Sequence, residues 1–160
     1  MPFGNGTVLS ESLKAYEGIE TRVLVASEAM TFEGWRTVVN QDPARGLSSS
    51  LKLGLAALPE CDGVLIGLGD MPLIQRETVA ALVAGFDTKQ AIAPSSTGHP
   101  LLVPKALLGL AEQATGDSGL RKLLPSCRSL EINDPGTRLD ADRPHAYGRL
   151  LRMRTGSLDK

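Results

Sequence analysis

The sequence is poor in aromatic residues and in cysteine, and it carries no excess of either charge. Phe, Trp and Tyr make up 4% of its 160 residues, so the core must be built mainly from Leu, Val, Ile and Ala. The two cysteines, Cys61 and Cys127, are too few and too far apart for a disulfide framework or a paired-cysteine zinc site. We therefore expect a fold that needs neither disulfides nor structural zinc.

Charge and hydropathy argue against two broad classes of partner. Lys and Arg number 17 against 18 Asp and Glu, which gives a formal net charge of −1 and no global footprint for nucleic acid or an anionic membrane. The longest apolar stretches, residues 64–68 and 79–86, fall far short of the ~20 residues of a membrane-spanning helix. The first six residues contain neither the basic nor the apolar region of a secretory leader. We expect a cytoplasmic protein without a nucleic-acid or membrane partner.

Short aliphatic runs alternate with helical periodicity, which predicts an α/β fold in a single domain, residues 1–160. The clearest strand is residues 63–68, because consecutive apolar positions are typical of a mostly parallel sheet with helices on both faces. This strand is expected to be central. Further strands are predicted at residues 22–26, 37–40, 91–94, 101–103 and 129–132. Helices are predicted around residues 49–58, 79–86, 104–111, 117–124 and 144–153.

The strongest local signal is Gly-Leu-Gly-Asp-Met-Pro at residues 67–72, directly after the clearest strand. Ligands of open parallel sheets bind beyond the carboxyl ends of the strands, so Asp70 is a candidate ligand for a divalent metal. Gly67 and Gly69 leave room for the close approach of a ligand or another backbone. A turn or helix-capping aspartate would occupy the same position, and the residue pattern alone leaves both interpretations open.

A second polar segment, Asn40 to Leu51, ends one predicted strand and opens a helix. Its Gly-Leu-Ser-Ser-Ser run, residues 46–50, places free backbone N–H groups and hydroxyls at a helix N-terminus, which suits an anion or a nucleotide. The same serines would also serve as ordinary helix caps. Taken alone, this segment favours capping.

Two further polar clusters lie at residues 115–119 and 139–144. Asp140 and Asp142 can converge on one metal ion if the backbone between them is extended, and Mg²⁺ takes only one or two carboxylates beside phosphate oxygens and water. The alternative is a loop aspartate followed by a helix cap. His99 lies in a predicted loop, where a lone histidine is usually solvated or hydrogen-bonded.

Taken together and in order, these segments resemble the molybdenum-cofactor nucleotidyltransferase family, especially its cytidylyltransferase branch. The family's motifs look like five segments here: Asn40–Leu51, Leu68–Pro72, Gly98-His99-Pro100, Gly116–Gly119 and Asp140–Pro144. Matches in the same order are more specific than any one of them, and the resemblance covers the chain from Pro2 to about Leu151. It implies a three-layer α/β/α fold with a mostly parallel, Rossmann-like sheet, as in nucleotide-diphospho-sugar transferases.

The resemblance also implies an activity. The terminal phosphate of molybdopterin would attack the α-phosphorus of CTP, or of GTP in a sister branch, and expel pyrophosphate with Mg²⁺ as the cofactor. A non-catalytic molybdopterin-binding maturation partner and a sugar-phosphate nucleotidyltransferase are the alternatives, because a fold alone does not assign the acceptor. A molybdenum hydroxylase apoenzyme is a candidate partner protein.

By the same resemblance, the candidate site residues fall into three groups. Asp70 and Asp142 would be the catalytic metal ligands. The nucleotide would contact Asn40, Gly46, Ser48, Ser49, Ser50 and Gly69. The acceptor would contact Gly98, His99, Pro100, Gly116, Asp117 and Gly119.

One part of the family pattern has no counterpart in the sequence. Family members open with an apolar strand and the loop Leu-Ala-Ala-Gly-x-Ser-x-Arg-Met-Gly, followed by Lys, whereas Pro2-Phe3-Gly4 resembles the segment just after that lysine. About twenty residues are therefore absent by usual element lengths. A shortened product of a longer gene is the favoured explanation, and a strand supplied by another chain or a loss of catalysis are the others. Because the first strand of this fold lies in mid-sheet, its neighbours should be left with unpaired backbone groups unless they close up.

Overall fold

The protein is described by a computed structural model that covers residues 1–94, 98–117, 120–141 and 144–154. The strands are β1 (Pro2–Phe3), β2 (Gly6–Thr7), β3 (Val23–Ala26), β4 (Arg36–Val39), β5 (Gly63–Ile66), β6 (Ala91–Pro94), β7 (Leu101–Pro104) and β8 (Cys127–Leu130). The helices are α1 (Val8–Lys14), α2 (Leu47–Ala57), α3 (Arg76–Ala84), α4 (Lys105–Leu108) and α5 (Pro144–Arg154). Short 3₁₀ turns lie at Pro43–Arg45, Gly109–Gln113, Leu120–Leu123 and Pro135–Arg138. Over these ranges, no helix has both the length and the apolar character needed to cross a membrane.

The strands form three separate sheets. β1 and β2 pair as an antiparallel hairpin, β3 and β4 pair in parallel, and the remaining strands lie in the order β5-β7-β6-β8. In this last sheet β6 and β8 are parallel, whereas β7 runs antiparallel to both of its neighbours. β5, β6 and β8 therefore run in the same direction, which confirms the predicted mostly parallel α/β sheet, and among the described strands of this sheet only β7 opposes them. Residues 95–100, which join β6 to β7, are too few for the crossover that parallel strands need.

The strand predicted to be central, β5, lies at the end of its sheet. Among the described strands β5 pairs only with β7, from Gly63 opposite Pro104 to Ile66 opposite Leu101. β3 likewise pairs only with β4. The neighbouring strands have therefore not closed up, and the β3-β4 sheet and the four-stranded sheet remain separate.

Helices cover both faces of the four-stranded sheet. Ala91, Ala93, Leu101 and Val103 are buried on one face with apolar side chains of α2, α4 and the adjoining 3₁₀ turns. The residues between them point to the other face, where Ile92 and Leu102 pack with Leu82 of α3. Each large aliphatic side chain buried in this way contributes about 1.5–3 kcal/mol relative to exposure. The predicted α/β/α layering is confirmed.

Some elements differ from the sequence prediction. The β1-β2 hairpin and α1 were not predicted. Helix α1 begins after Thr7, whose side chain accepts the Ser10 N–H at 3.0 Å while the Ser10 hydroxyl accepts the Thr7 N–H at 2.8 Å. This reciprocal cap uses serine where the common pattern has Glu or Gln, so its sequence signal is weak. Strand β8 begins two residues earlier than predicted, and the helix predicted at 117–124 is a 3₁₀ turn at Leu120–Leu123.

A buried carboxylate, Asp134, ties the C-terminal part of the chain to the start of α3. Its Oδ2 atom accepts the Thr78 hydroxyl at 2.5 Å and the Gln75 N–H at 2.9 Å, and its Oδ1 atom accepts the Gly136 N–H at 2.8 Å. Gly136 lies so close to the preceding loop that a Cβ atom there would be 2.1 Å from the carbonyl oxygen of Leu73. These contacts fix residues 71–75, which follow the candidate metal ligand Asp70.

Candidate active site

Strand β4, helix α2 and strand β5 form the crossover unit on which the candidate site is built. Arg36, at the start of β4, donates to the carbonyl of Ala57 at the end of α2 (2.9 Å), and Asn40, just after β4, donates to Ser49 near the start of α2 (2.8 Å). Helix α2 therefore runs antiparallel to β4. Strand β5, which follows α2 in the chain, then runs parallel to β3 and β4. The carboxyl ends of these three strands meet at one edge, beside the N-terminus of α2.

Asp70 lies in the turn that follows β5 at this edge. The residue is half-buried and its Oδ1 atom is buried. Its backbone carbonyl accepts a hydrogen bond from the Ala141 N–H at 2.9 Å. Ala141 immediately precedes Asp142, which itself lies outside the described residues. The predicted pairing of the two carboxylates stays a prediction.

Tyr16 is a neighbour of this site that was not predicted from the sequence. Its side chain is buried and packs edge-on against Trp35, with ring centroids 6.4 Å apart. Burial, and secondly the negative charge of Asp70, raises the pKa of Tyr16, so its hydroxyl stays protonated at neutral pH. That hydroxyl has no hydrogen-bond partner within the described part of the chain. Only a prediction of α1 could have placed Tyr16 here, since it follows that helix.

Gly67 and Gly69 are approached by side chains of the protein itself. A Cβ atom at Gly67 would lie 2.1 Å from the Tyr16 hydroxyl, and one at Gly69 would lie 2.8 Å from Cδ1 of Leu9. A close approach at these glycines was expected, and in this structure the approaching groups come from α1 and the turn after it. Gly69 is exposed, and its contact with a nucleotide stays a prediction.

Protein groups already occupy the N-terminus of α2. The Leu47 N–H donates to Oδ1 of Asp117 at 3.3 Å, and the Ser48 N–H donates to the carbonyl of Gly116 at 3.0 Å. Gly46 has φ of +84°, and a Cβ atom there would lie 2.4 Å from the carbonyl carbon of Gly116. The two segments predicted to bind nucleotide and acceptor are thus in direct contact. An anion at this helix N-terminus would have to displace the Asp117 carboxylate.

Asn40 connects the end of β4 to the first turn of α2 through hydrogen bonds. It is buried, its amide donates to the Ser49 and Ser50 hydroxyls at 2.8 and 3.0 Å, and its Oδ1 atom accepts the Asp42 N–H at 3.0 Å. The Ser49 hydroxyl in turn donates to the Gly46 carbonyl at 2.8 Å. These bonds explain why an asparagine and two serines stand here without requiring a ligand, and they hold both hydroxyls at the predicted site.

A cavity of about 820 Å³ lies between β3 and β5. Four of the predicted site residues line it: Ser48, Ser50, Gly69 and His99. Asp70 adjoins the cavity through Gly69. Gly98 and Pro100, buried on either side of His99, hold the loop that carries it. Gly119, the remaining predicted acceptor residue, lies outside the described residues.

The donor set at Asp70 fits a metal ion that arrives with its substrate. In the ranges that the structure describes, no three His, Cys, Asp or Glu side chains come together to hold a metal ion. Mg²⁺ is typically bound by one or two carboxylates, with phosphate oxygens and water completing the shell. A single half-buried carboxylate at Asp70 is sufficient for a metal–nucleotide complex, and insufficient for a site made of protein ligands alone.

Comparison with known proteins assigns the chain to a family. Residues 1–131 match the MobA-like NTP transferase domain. The chain is 28% identical over 134 residues to nicotine blue oxidoreductase from Paenarthrobacter nicotinovorans, which covers 74% of this chain and 66% of that protein. It is also 28% identical to the bifunctional protein GlmU of Mycolicibacterium vanbaalenii over an alignment of 176 positions, gaps included, and this alignment covers 90% of this chain and 35% of GlmU. The chain thus spans less than two thirds of the length of either relative.

A solved structure shares the fold. The crystal structure of Rv0371c from Mycobacterium tuberculosis H37Rv superposes with a TM-score of 0.79 at 27% identity, over 95% of this chain and 87% of that one. A crystal structure of Rv0371c in complex with manganese gives a TM-score of 0.77 at 24% identity, over 95% and 89%. The predicted α/β fold and the resemblance to molybdenum-cofactor nucleotidyltransferases are confirmed. The chain belongs to the MobA-like NTP transferase domain family.

Proposed function

We propose that the chain transfers CMP or GMP from CTP or GTP to molybdopterin in the cytoplasm, with a divalent metal ion bound at Asp70. The position of Asp70 carries the proposal. It lies in the turn after β5, at the edge where β3, β4 and β5 end, and its backbone is bonded to the residue before Asp142. The carboxyl edge of an open α/β sheet is where ligands of such folds bind.

The transfer requires little covalent chemistry from the protein itself. An oxygen of the acceptor phosphate forms a bond to the α-phosphorus, the bond to the bridging oxygen breaks, and pyrophosphate leaves with that electron pair. Catalysis of this kind rests on positioning and on neutralising charge. When bound, Mg²⁺, or the manganese found with Rv0371c, would supply positive charge to the triphosphate. Asp70 would hold it through its carboxylate, with Asp142 as a second ligand.

Two observations support an acceptor site beside the nucleotide site. His99, predicted to face the acceptor, lines the same cavity as Ser48 and Ser50, predicted to face the nucleotide. Gly116 and Asp117 touch the first turn of α2 directly. The two substrates would therefore meet at the α2 N-terminus, within reach of the turn that carries Asp70.

Substitution of Asp70 by asparagine tests the proposal, because it removes the charge and keeps the shape. We expect Asp70→Asn to lower pyrophosphate release about a hundredfold or more, as loss of one electrostatic partner of a transition state typically does. The assay contains the chain, CTP or GTP, Mg²⁺ or Mn²⁺, and molybdopterin. Asp62→Asn is the matched control, since Asp62 is exposed at the opposite end of β5.

Three results would contradict the proposal: no release by the unaltered chain with either nucleotide, unchanged release by Asp70→Asn, or an equal loss in Asp62→Asn. The same assay with a sugar phosphate in place of molybdopterin tests the other acceptor class. Faster release with the sugar phosphate would reassign the acceptor and leave the role of Asp70 intact.

A non-catalytic molybdopterin-binding partner is the second candidate, and the capping of α2 favours it. Asp117 and Gly116 occupy the N–H groups that a phosphate would use. Calorimetry separates the two candidates, because the binding partner should take up molybdopterin and ignore CTP. Measurable affinity for CTP with Mg²⁺ would exclude this second candidate.

A further inference from the structure

We propose that Asp134 is a positioning residue for the candidate metal site. Its buried carboxylate holds the turn that carries Asp70 against the segment that ends at Ala141. The inference rests on the proposed function, because Asp134 acts on the metal ion only through Asp70. Asp134 is 3% exposed and does not line the cavity beside Asp70, so it is placed to hold the protein and not to meet a substrate.

Three neutral donors satisfy the Asp134 carboxylate. Its Oδ2 atom accepts the Thr78 hydroxyl and the Gln75 N–H, and its Oδ1 atom accepts the Gly136 N–H. An ionised carboxylate accepts at both oxygens, whereas the amide of an asparagine would turn a donor toward one of these groups. Gln75 is also the N-cap of α3, where a negative charge is favourable. The arrangement therefore favours aspartate over asparagine at this position.

Two hydrogen bonds close residues 70–75 and 134–141 into one ring, here called the Asp134 ring. At one end the Asp134 carboxylate accepts the backbone N–H of the last residue of the first segment, at 2.9 Å. At the other end the Ala141 N–H donates to the carbonyl of Asp70, also at 2.9 Å. The turn of Asp70 is thus held at both of its ends by the same segment of the chain.

The two segments of the Asp134 ring are packed against each other. A Cβ atom at Gly136 would lie 2.1 Å from the carbonyl oxygen of Leu73, so the two backbones are in contact. The side chains of Leu73, Leu139 and Ala141 belong to one apolar cluster, in which Ala141 is buried. Close-packed interiors transmit displacements. A loosening at Asp134 should therefore reach the hydrogen bond between Ala141 and Asp70.

The proposed metal site depends on such support. Asp70 offers a single carboxylate to an ion that arrives with its nucleotide, so the position of this carboxylate decides how tightly the ion is held. A ligand in a turn keeps its position through the residues packed and hydrogen-bonded around it. Removal of an outer group that orients a metal ligand typically lowers metal affinity about ten- to a hundredfold. Asp134 should therefore affect metal binding without touching the ion.

Substitutions at both ends of the hydrogen bond between Thr78 and Asp134 test the proposal in the full chain. Asp134→Asn turns a donor toward one of the three N–H or O–H groups. Thr78→Val removes one donor at nearly constant volume, and Thr78→Ser keeps the hydroxyl as the matched control. We expect the dissociation constant for Mn²⁺ with CTP or GTP to rise about tenfold in Asp134→Asn and about threefold in Thr78→Val, and to stay unaltered in Thr78→Ser. Electron paramagnetic resonance of free Mn²⁺ measures this constant.

Hydrogen exchange without metal or nucleotide gives a second measurement. We expect the Ala141 amide to exchange about tenfold faster in Asp134→Asn, because its bond to the Asp70 carbonyl opens more often. Leu82→Ala separates positioning from a loss of stability, since Leu82 is fully buried on α3 in another apolar cluster. Urea unfolding should show that Leu82→Ala and Asp134→Asn are both less stable than the unaltered chain, while Leu82→Ala keeps its affinity for Mn²⁺ with nucleotide.

Unchanged Ala141 exchange in Asp134→Asn, or unchanged Mn²⁺ affinity despite faster exchange, would overturn the inference and leave the proposed function intact. An equal loss of affinity in Leu82→Ala or in Thr78→Ser would also overturn it, because stability or side-chain volume would then explain the effect. The two Thr78 variants decide the question by themselves if Asp134→Asn does not fold. If the unaltered chain binds no Mn²⁺ with either nucleotide, the proposed function and the role of Asp134 both fail.

Discussion

The hydroxyl of Tyr16 lies buried against Gly67, and its pKa is raised first by burial and second by the negative charge of Asp70. In the unfolded chain a tyrosine ionises near pH 10. The folded state keeps this proton at a pH where the unfolded state releases it. Tyr16 therefore leaves the free energy of unfolding unchanged below about pH 10 and lowers it as the pH rises above that value.

Replacement of this tyrosine by phenylalanine should make the free energy of unfolding fall less steeply with rising pH in the alkaline range. At neutral pH we expect Tyr16→Phe to be neutral or stabilising by about 1 kcal/mol, because it removes a buried hydroxyl without a partner in the described structure. Urea unfolding between about pH 9 and pH 11 measures the slope. Tyr147→Phe is the control, since the Tyr147 hydroxyl donates to the Pro2 carbonyl. Equal alkaline slopes in the unaltered chain and Tyr16→Phe would contradict this account of Tyr16.

At the scale of elements, the N-terminus of α2 joins two candidate subsites that are distant in sequence. Asp117 and Gly116 cap a helix that begins some 70 residues earlier. A carboxylate near a helix N-terminus is favourable, and so is a phosphate, so the two compete for the same N–H groups. If CTP binds here, the charge of Asp117 must weaken its binding.

Removal of that charge should therefore tighten CTP binding. Asp117→Asn keeps an oxygen acceptor for the Leu47 N–H and loses the negative charge, and we expect the dissociation constant for CTP to fall about two- to fivefold. Calorimetry with Mg²⁺ present checks this value. Asp62→Asn, with the same charge change far from α2, should leave the constant unaltered. Weaker binding in Asp117→Asn would mean that the carboxylate assists the ligand instead of competing with it.

Local patterns explain which elements could be predicted. β5 and α2 were identified from an unbroken apolar run and from leucines at helical spacing, and both lie within a few residues of the predicted positions. The antiparallel direction of β7 follows from the short connection at residues 95–100, a constraint of chain length that the apolar pattern does not carry. Contacts such as Gly46 with Gly116 join distant residues, and no local pattern encodes them.

At the scale of the whole molecule, the division of the sheet is the main departure from the expected fold. The position of β5 was predicted correctly from its own residues, whereas its place in the sheet depends on which strand lies on its other side. Which strand lies there is decided by the assembled sheet and not by the residues of β5. The candidate site shows the same limit, because the edge that carries Asp70 was predicted, while the close approach of Tyr16 to Gly67 and of Leu9 to Gly69 was not.

The central claim is that a metal–nucleotide complex binds at Asp70, and paramagnetic line broadening by Mn²⁺ with CTP tests it most directly. Nuclear magnetic resonance spectra should show selective broadening of the amides of Leu68, Asp70 and Ala141, with Asp62 unaffected, and the broadening should vanish in Asp70→Asn. Broadening centred elsewhere, or unchanged by Asp70→Asn, would contradict the account.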